Sequence, residues 1–128
     1  MKPSLEVSVK REVLEMILGS ARALHPRETV FLLRGRSTGN VVSVTEVLIP
    51  PSATYGRGFA AFPAHMLPID FSIVGTAHSH PSGNSTPSTE DFNRSMGRII
   101  LIVVFPYQKR SDVVAYNREG AKLKLQVT

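Results

Sequence analysis

Residues 99 to 105 read Ile-Ile-Leu-Ile-Val-Val-Phe, an apolar run without a single polar interruption. Side chains of a strand alternate between its two faces, so a run with no polar position has no face left for water and belongs to a strand covered on both sides. A bilayer span needs roughly 20 apolar residues, and this run is far shorter. The chain must therefore supply packing layers above and below a sheet. With 128 residues it has enough length for one such core and none to spare for a second domain. The expected architecture is α/β: a mixed, curved β-sheet flanked by helices, with residues 1–128 as a single domain and residues 99–105 at the centre of the sheet.

The remaining elements are placed around that strand. Val9, Val13, Leu14, Met16, Ile17, Ala21 and Leu24 recur near a 3.6-residue period, which predicts a first helix from Val9 to Leu24 with Ser8 as N-cap and Pro26 as terminator. Glu28 to Arg34 reads as a buried strand. Val41 to Ile49 is its hairpin partner across the turn at residues 35–40. Pro50 to Gly58 is irregular, Phe59 to Phe62 a short extended piece, and Pro63 to Pro68 a turn or short helix. Phe71 to Ser79 is a strand, Thr89 to Met96 a second helix, and Asp112 to Asn117 with Ala121 to Val127 a closing hairpin.

Composition narrows the function classes. The sequence has no cysteine, which excludes disulfides and thiolate metal sites. The formal net charge is +5, yet the basic residues are scattered, densest at Arg34/Arg36 and Lys109/Arg110, with no aromatic side chains interleaved. That pattern reads as a solvated surface, so neither nucleic acid nor membrane is an expected partner. The first residues lack an apolar core of signal-peptide length, and a cytoplasmic location is the expectation.

Chemistry concentrates between His78 and Asp91, H-S-H-P-S-G-N-S-T-P-S-T-E-D. Residues two apart on a strand leave the same face, so His78 and His80 can reach one ion while Ser79 points away. Pro81 to Asn84 break the strand into a loop. Ser88 then suits a helix N-cap, with Glu90 and Asp91 in the first turn. Two imidazoles and a carboxylate make a three-ligand set, the kind that catalytic zinc uses while leaving a fourth position to water. Taken singly, a His-x-His pair or a Ser-x-x-Asp helix start is an ordinary feature. His25 and His65 stay outside the motif and read as surface or packing histidines. Glu28 is open on residue type alone, since it could as well cap the strand or pair with Arg27 or Arg34.

Together the positions match H-x-H-P-x6-S-x2-D throughout, and the chain resembles the JAMM (MPN+) metalloproteases, in particular their compact prokaryotic and archaeal members. The resemblance extends to Glu28, which heads an apolar strand where that family keeps a catalytic glutamate. It implies a cytidine-deaminase-like fold, Zn2+ as cofactor held by His78, His80 and Asp91, Glu28 as general base, and Ser88 as hydrogen-bond donor to the oxyanion. Zinc lowers the pKa of a bound water to about 7, which suits peptide hydrolysis at neutral pH. The implied substrate is a ubiquitin or ubiquitin-like modifier joined through its tail to a lysine amine. Pro50 to Phe62 would be a short insertion bordering the site, with Tyr55 and Phe59 as substrate-binding residues. Two other readings are a peptidase of the same fold processing sulfur-carrier proteins or small adducts, and a non-catalytic MPN scaffold. His80 to Ser88 also resembles the RadC-type DNA-repair-associated proteins, which are longer and carry an N-terminal helical region.

Overall fold

The computed structural model describes residues 4–48, 72–93 and 95–128. The strands are β1 (Glu6–Val9), β2 (Val30–Thr38), β3 (Val41–Leu48), β4 (Ile73–His80), β5 (Ile99–Val104), β6 (Val113–Asn117) and β7 (Lys122–Val127). The helices are α1 (Arg11–Leu24) and the short α2 (Thr89–Asn93), with a 3-10 turn at Arg110–Asp112. The strand order is β1-β3-β2-β4-β5-β6-β7, and β7 pairs back onto β1, so the sheet closes on itself. Among the described residues no helix is long and apolar enough to cross a membrane.

β5 is fully buried along its length, as its unbroken apolar sequence requires. Its two faces serve different layers. Ile99, Leu101 and Val103 join the main core with Val13, Leu14, Ile17, Leu18 and Ala21 of α1. Ile100, Ile102 and Val104 form a second cluster with Tyr116, against which Phe92 of α2 packs. β5 lies between β4 and β6 in a ring that has no edge, so the expected central position has no counterpart: every strand has a neighbour on each side. The buried stripe of α1 follows the helical period, and burying each of Val13, Leu14, Ile17 and Leu18 stabilises by roughly 1.5–3 kcal/mol.

Several boundaries differ from the sequence expectation for identifiable reasons. Ser8 is not an N-cap but part of β1, and α1 begins at Arg11 behind Lys10, which makes no side-chain cap bond. Only four residues long and held by parallel neighbours on both sides, β1 carries too little local signal to be read from sequence. β2 starts at Val30 rather than Glu28 and runs on to Thr38, because a bulge at Arg34/Gly35 lets pairing with β3 continue down to the two-residue turn Gly39-Asn40. An added Cβ at Gly35 would lie 1.7 Å from the Ser43 carbonyl oxygen, so the pairing there requires glycine. β4 extends through His80 and therefore carries both histidines on regular strand. α2 spans Thr89–Asn93, shorter than the expected Thr89 to Met96. The expected elements between residues 50 and 68, with Tyr55, Phe59 and His65, lie outside the described residues.

Candidate metal centre at the strand rim

Register fixes which side chains share a face. His78 lies opposite Val30 on one side and Ile102 on the other, and His80 opposite Val104. Thr76, His78 and His80 thus line the α2 side of the sheet, and Ala77 and Ser79 the α1 side. Gly75 sits beside Ile99, where an added Cβ would come 2.3 Å from the Ile99 carbonyl oxygen; the close parallel pairing of β4 and β5 depends on it.

The loop after β4 is built from local bonds. His80 Nδ1 lies 2.7 Å from the Asn84 carbonyl oxygen, Asn84 Oδ1 accepts from the Thr86 N–H at 3.0 Å, and the Tyr116 hydroxyl donates to the Ser85 carbonyl at 2.8 Å. The loop delivers Ser88 as the start of α2. There the Ser88 N–H donates to Asp91 Oδ2 at 2.8 Å and the Asp91 N–H to Ser88 Oγ at 3.1 Å, a reciprocal capping box. Since Ser88 Oγ accepts that bond, its own proton remains for a further acceptor.

The box aims the Asp91 carboxylate at both histidines. Oδ2 lies 2.9 Å from His80 Nε2 and Oδ1 3.4 Å from His78 Nδ1, and all three side chains are buried. In this geometry the three close on one another through Asp91 rather than around a common centre. Their chemistry nonetheless fits a zinc ion: two imidazole nitrogens and one carboxylate oxygen are its usual donors. Tetrahedral bonds of about 2.0–2.1 Å hold neighbouring donors roughly 3.3 Å apart, close to the His78–Asp91 separation. His80 Nδ1 against the Asn84 carbonyl fixes the tautomer that leaves Nε2 for an ion.

Electrostatics follow from the packing. Burial pulls the His80 pKa down, but the Asp91 hydrogen bond, the Asn84 carbonyl and the Asp91 charge together leave it raised. Burial pushes Asp91 up, yet the His80 bond, the His78 charge and the Ser88 N–H leave it lowered. Glu28 is raised, first by burial and then by the charges of Asp91 and Glu90, with His80 opposing.

Glu28 reaches this group through Thr29. The Ser79 N–H donates to the Thr29 carbonyl at 3.0 Å, and Ser79 Oγ accepts from the Thr29 N–H at 2.8 Å. This continues the β2–β4 register by one step and draws Glu28 level with His80. The structure thus brings His78, His80, Ser88 and Asp91 into direct contact and sets Glu28 close enough to feel their charges. Ser79 and Tyr116 are the supporting residues that sequence reasoning missed. A serine between two histidines on a fully buried strand was the available signal, because a buried hydroxyl needs a partner.

The profile of the prokaryotic homologs of the JAB domain matches residues 10–118. The chain belongs to that family, within the JAMM/MPN+ domains. A probable metalloprotease of Haloferax volcanii is 32% identical over 128 aligned residues, spanning 94% of this chain and 79% of the relative. A JAB1/MPN domain protein from Archaeoglobus fulgidus superposes with a TM-score of 0.68 at 31% identity, covering 94% and 98% of the two chains. A structure described as a metalloprotease-like JAMM zinc site in the proteasome and signalosome gives a TM-score of 0.66 at 31% identity over 98% and 99%.

Proposed function

We propose that this JAMM domain is a zinc-dependent isopeptidase that releases a ubiquitin-like modifier from lysine, acting in the cytoplasm. The cofactor is zinc, in keeping with the zinc site described for its structural relative. The observation that carries the reading is the Asp91 carboxylate laid across both imidazoles at 3.4 and 2.9 Å, with Glu28 on the same rim. His78, His80 and Asp91 hold the ion. Bound there, zinc supplies a water acidic enough to lose its proton near neutral pH and polarises the substrate carbonyl.

The chain's own residues do the rest. Glu28, its pKa raised by burial, accepts the proton of the attacking water and passes it to the leaving amine. The Ser88 hydroxyl, held by the Asp91 N–H, donates its remaining proton to the oxyanion. The modifier as substrate rests on the family resemblance, as does a role for Tyr55 and Phe59 in holding its tail. Two measurements test the proposal. Metal analysis should find one zinc per chain and near none in a His78→Ala/His80→Ala double variant. Wild type should cut a ubiquitin-like lysine conjugate in a chelator-sensitive way, and Glu28→Gln should keep its zinc while losing roughly 10²- to 10⁴-fold in rate. Unchanged cleavage by Glu28→Gln removes Glu28 from the chemistry, and zinc retained by the double variant removes the ligand assignment.

A further inference from the structure

The rim of the sheet away from the two histidines gathers cations that lie far apart in sequence. β5 begins there beside Gly75 of β4 and opposite Asn117 at the end of β6, and on the other side of β4 the strand β2 runs out to Thr38. Arg36, Arg98 and Arg118 belong to this rim, and all three are exposed. Contacts join them into one row. Arg98 Nη1 donates to Ser37 Oγ at 2.9 Å, next to Arg36. Arg118 Nη1 donates to the Gly97 carbonyl at 2.9 Å, next to Arg98, and to Ser95 Oγ at 3.2 Å.

The row rests on a fixed base. Gly97 has φ +81° and lies so close to β4 that an added Cβ would come 2.3 Å from the Val74 carbonyl carbon, and the Arg98 N–H donates to the Val74 carbonyl oxygen at 2.7 Å. The turn carrying Arg118 is held by Asn117 Oδ1, which accepts from the Glu119 and Ala121 N–H groups at 3.0 and 2.9 Å. The guanidinium groups of Arg98 and Arg118 are thus placed before any partner arrives, which spares part of the side-chain entropy that binding otherwise costs. Both donate through Nη1 alone. Each keeps its Nε and Nη2 protons, the parallel pair that matches the two oxygens of a carboxylate. Among the described residues no carboxylate, that of Glu119 included, comes within ion-pair reach of Arg36, Arg98 or Arg118.

We infer that this arginine row is a docking surface for an acidic, extended segment of a partner protein, with carboxylates on alternate residues. β2 and β6 are three strand spacings apart, about 14 Å, and an extended peptide covers that in about four residue steps. Side chains two apart leave the same face, so every second residue can turn its carboxylate to the row. Nucleic acid matches the rim less closely. The large exposed apolar side chains among the described residues are Met16 on α1 and Phe105 beyond the far end of β5, which leaves no exposed ring here for a base to stack on. Val74 precedes His78 by four residues, so the row is about 13 Å along β4 from the metal donors. The segment therefore binds whether the site is empty or filled, and the inference stands apart from the isopeptidase reading.

The test is fluorescence anisotropy with the full chain, zinc-loaded and zinc-free alike, and a labelled peptide of alternating glutamate and serine. The chain should bind it with an affinity that falls as salt rises, and should bind the glutamine-serine counterpart about tenfold more weakly or worse. Arg36→Ala/Arg98→Ala/Arg118→Ala should weaken binding about tenfold or more, whereas Lys10→Ala/Arg11→Ala/Lys124→Ala, which removes the same charge elsewhere on the surface, should stay within about twofold. Arg98→Lys/Arg118→Lys keeps the charge but loses the paired protons, and should weaken binding about fivefold; it decides the matter even where the alanine triple fails to fold. Equal losses in the two triple variants, a lysine variant that binds as wild type does, or no binding of the glutamate peptide overturns the inference. Tighter binding of a uridine oligonucleotide than of the peptide assigns the row to nucleic acid and overturns it as well.

Discussion

Replacing Ser79 by alanine removes one atom from the middle of the His-Ser-His strand and touches no metal donor. Ser79 and Thr29 are both completely buried, so the Thr29 N–H loses its 2.8 Å acceptor with no water to replace it. An orphaned buried donor costs about 1–3 kcal/mol. Unfolding entropy near 2.1 cal/mol/K per residue makes each kcal/mol worth about 4 °C for a chain of this length, so Tm should fall by about 4–11 °C. Thr76→Val on the same strand provides the contrast: Thr76 is as buried, but its hydroxyl has no partner among the described residues, so its loss should leave Tm unchanged or higher. Because Thr29 carries Glu28, Ser79→Ala should also lower kcat about tenfold or more with zinc content intact, as misplacement of a catalytic group by an ångström does. Calorimetry on the zinc-loaded variants, with turnover on a conjugate, reads both effects. If Ser79→Ala melts within about 1 °C of wild type, or Thr76→Val falls as far, the hydrogen bond is not what ties Glu28 to the histidine strand.

Tyr116→Phe frees the Ser85 carbonyl and loosens the loop whose Asn84 carbonyl orients His80, so zinc affinity should fall about 10-fold in a chelator competition with little change in secondary structure. Ser88→Ala separates two roles: losing the cap should cost about 0.5–2 kcal/mol in a melt, and losing the oxyanion donor about 10²–10³ in kcat. The zinc-free protein should be most stable between about pH 4 and 6.5, the ordinary aspartate and histidine values. The raised His80 pKa contributes stability present below about 6.5 and lost as pH rises through its folded value, and the lowered Asp91 pKa contributes stability present above about 3.9 and lost as pH falls through its folded value. On the proposed ligand set zinc requires neutral His80, so its affinity should instead climb with pH across His80's raised pKa, as a pH series of metal titrations would measure.

The grouping of His78, His80, Ser88 and Asp91 was legible because its signals are local. Two histidines at strand spacing and a serine three residues before an aspartate each obey a short-range geometric rule, and β5 declared itself by lacking any polar position. What was not legible depends on partners distant in sequence. β1 exists because Val41–Val44 and Lys124–Val127 flank it, and four residues of alternating Glu-Val-Ser-Val do not announce that. The Ser79–Thr29 bond, Tyr116 under the loop and the Arg98–Ser37 bond all join residues separated by tens of positions, where neither period nor cap motif applies. The far end of β2 moved for the same reason: past the bulge at Arg34/Gly35 it stays paired with β3 as far as Thr38, which the apolar pattern of β2 itself does not signal.

The strand that closes the sheet also sets the order in which the molecule can form. Glu6 to Val9 pair in parallel with Lys124 to Val127, the most widely separated strand pairing among the described residues. Non-local pairings form late because their loop-closure entropy must be overcome before they return any contact energy. During synthesis β1 emerges well before β7, so the β1 edge waits exposed until residues 122–127 leave the ribosome. In the finished protein this seam should open first, with the amides of β1 and β7 exchanging hydrogen before those of β4 and β5. The histidine strand thus sits in the part of the ring that opens last, insulated from the breathing of its joint.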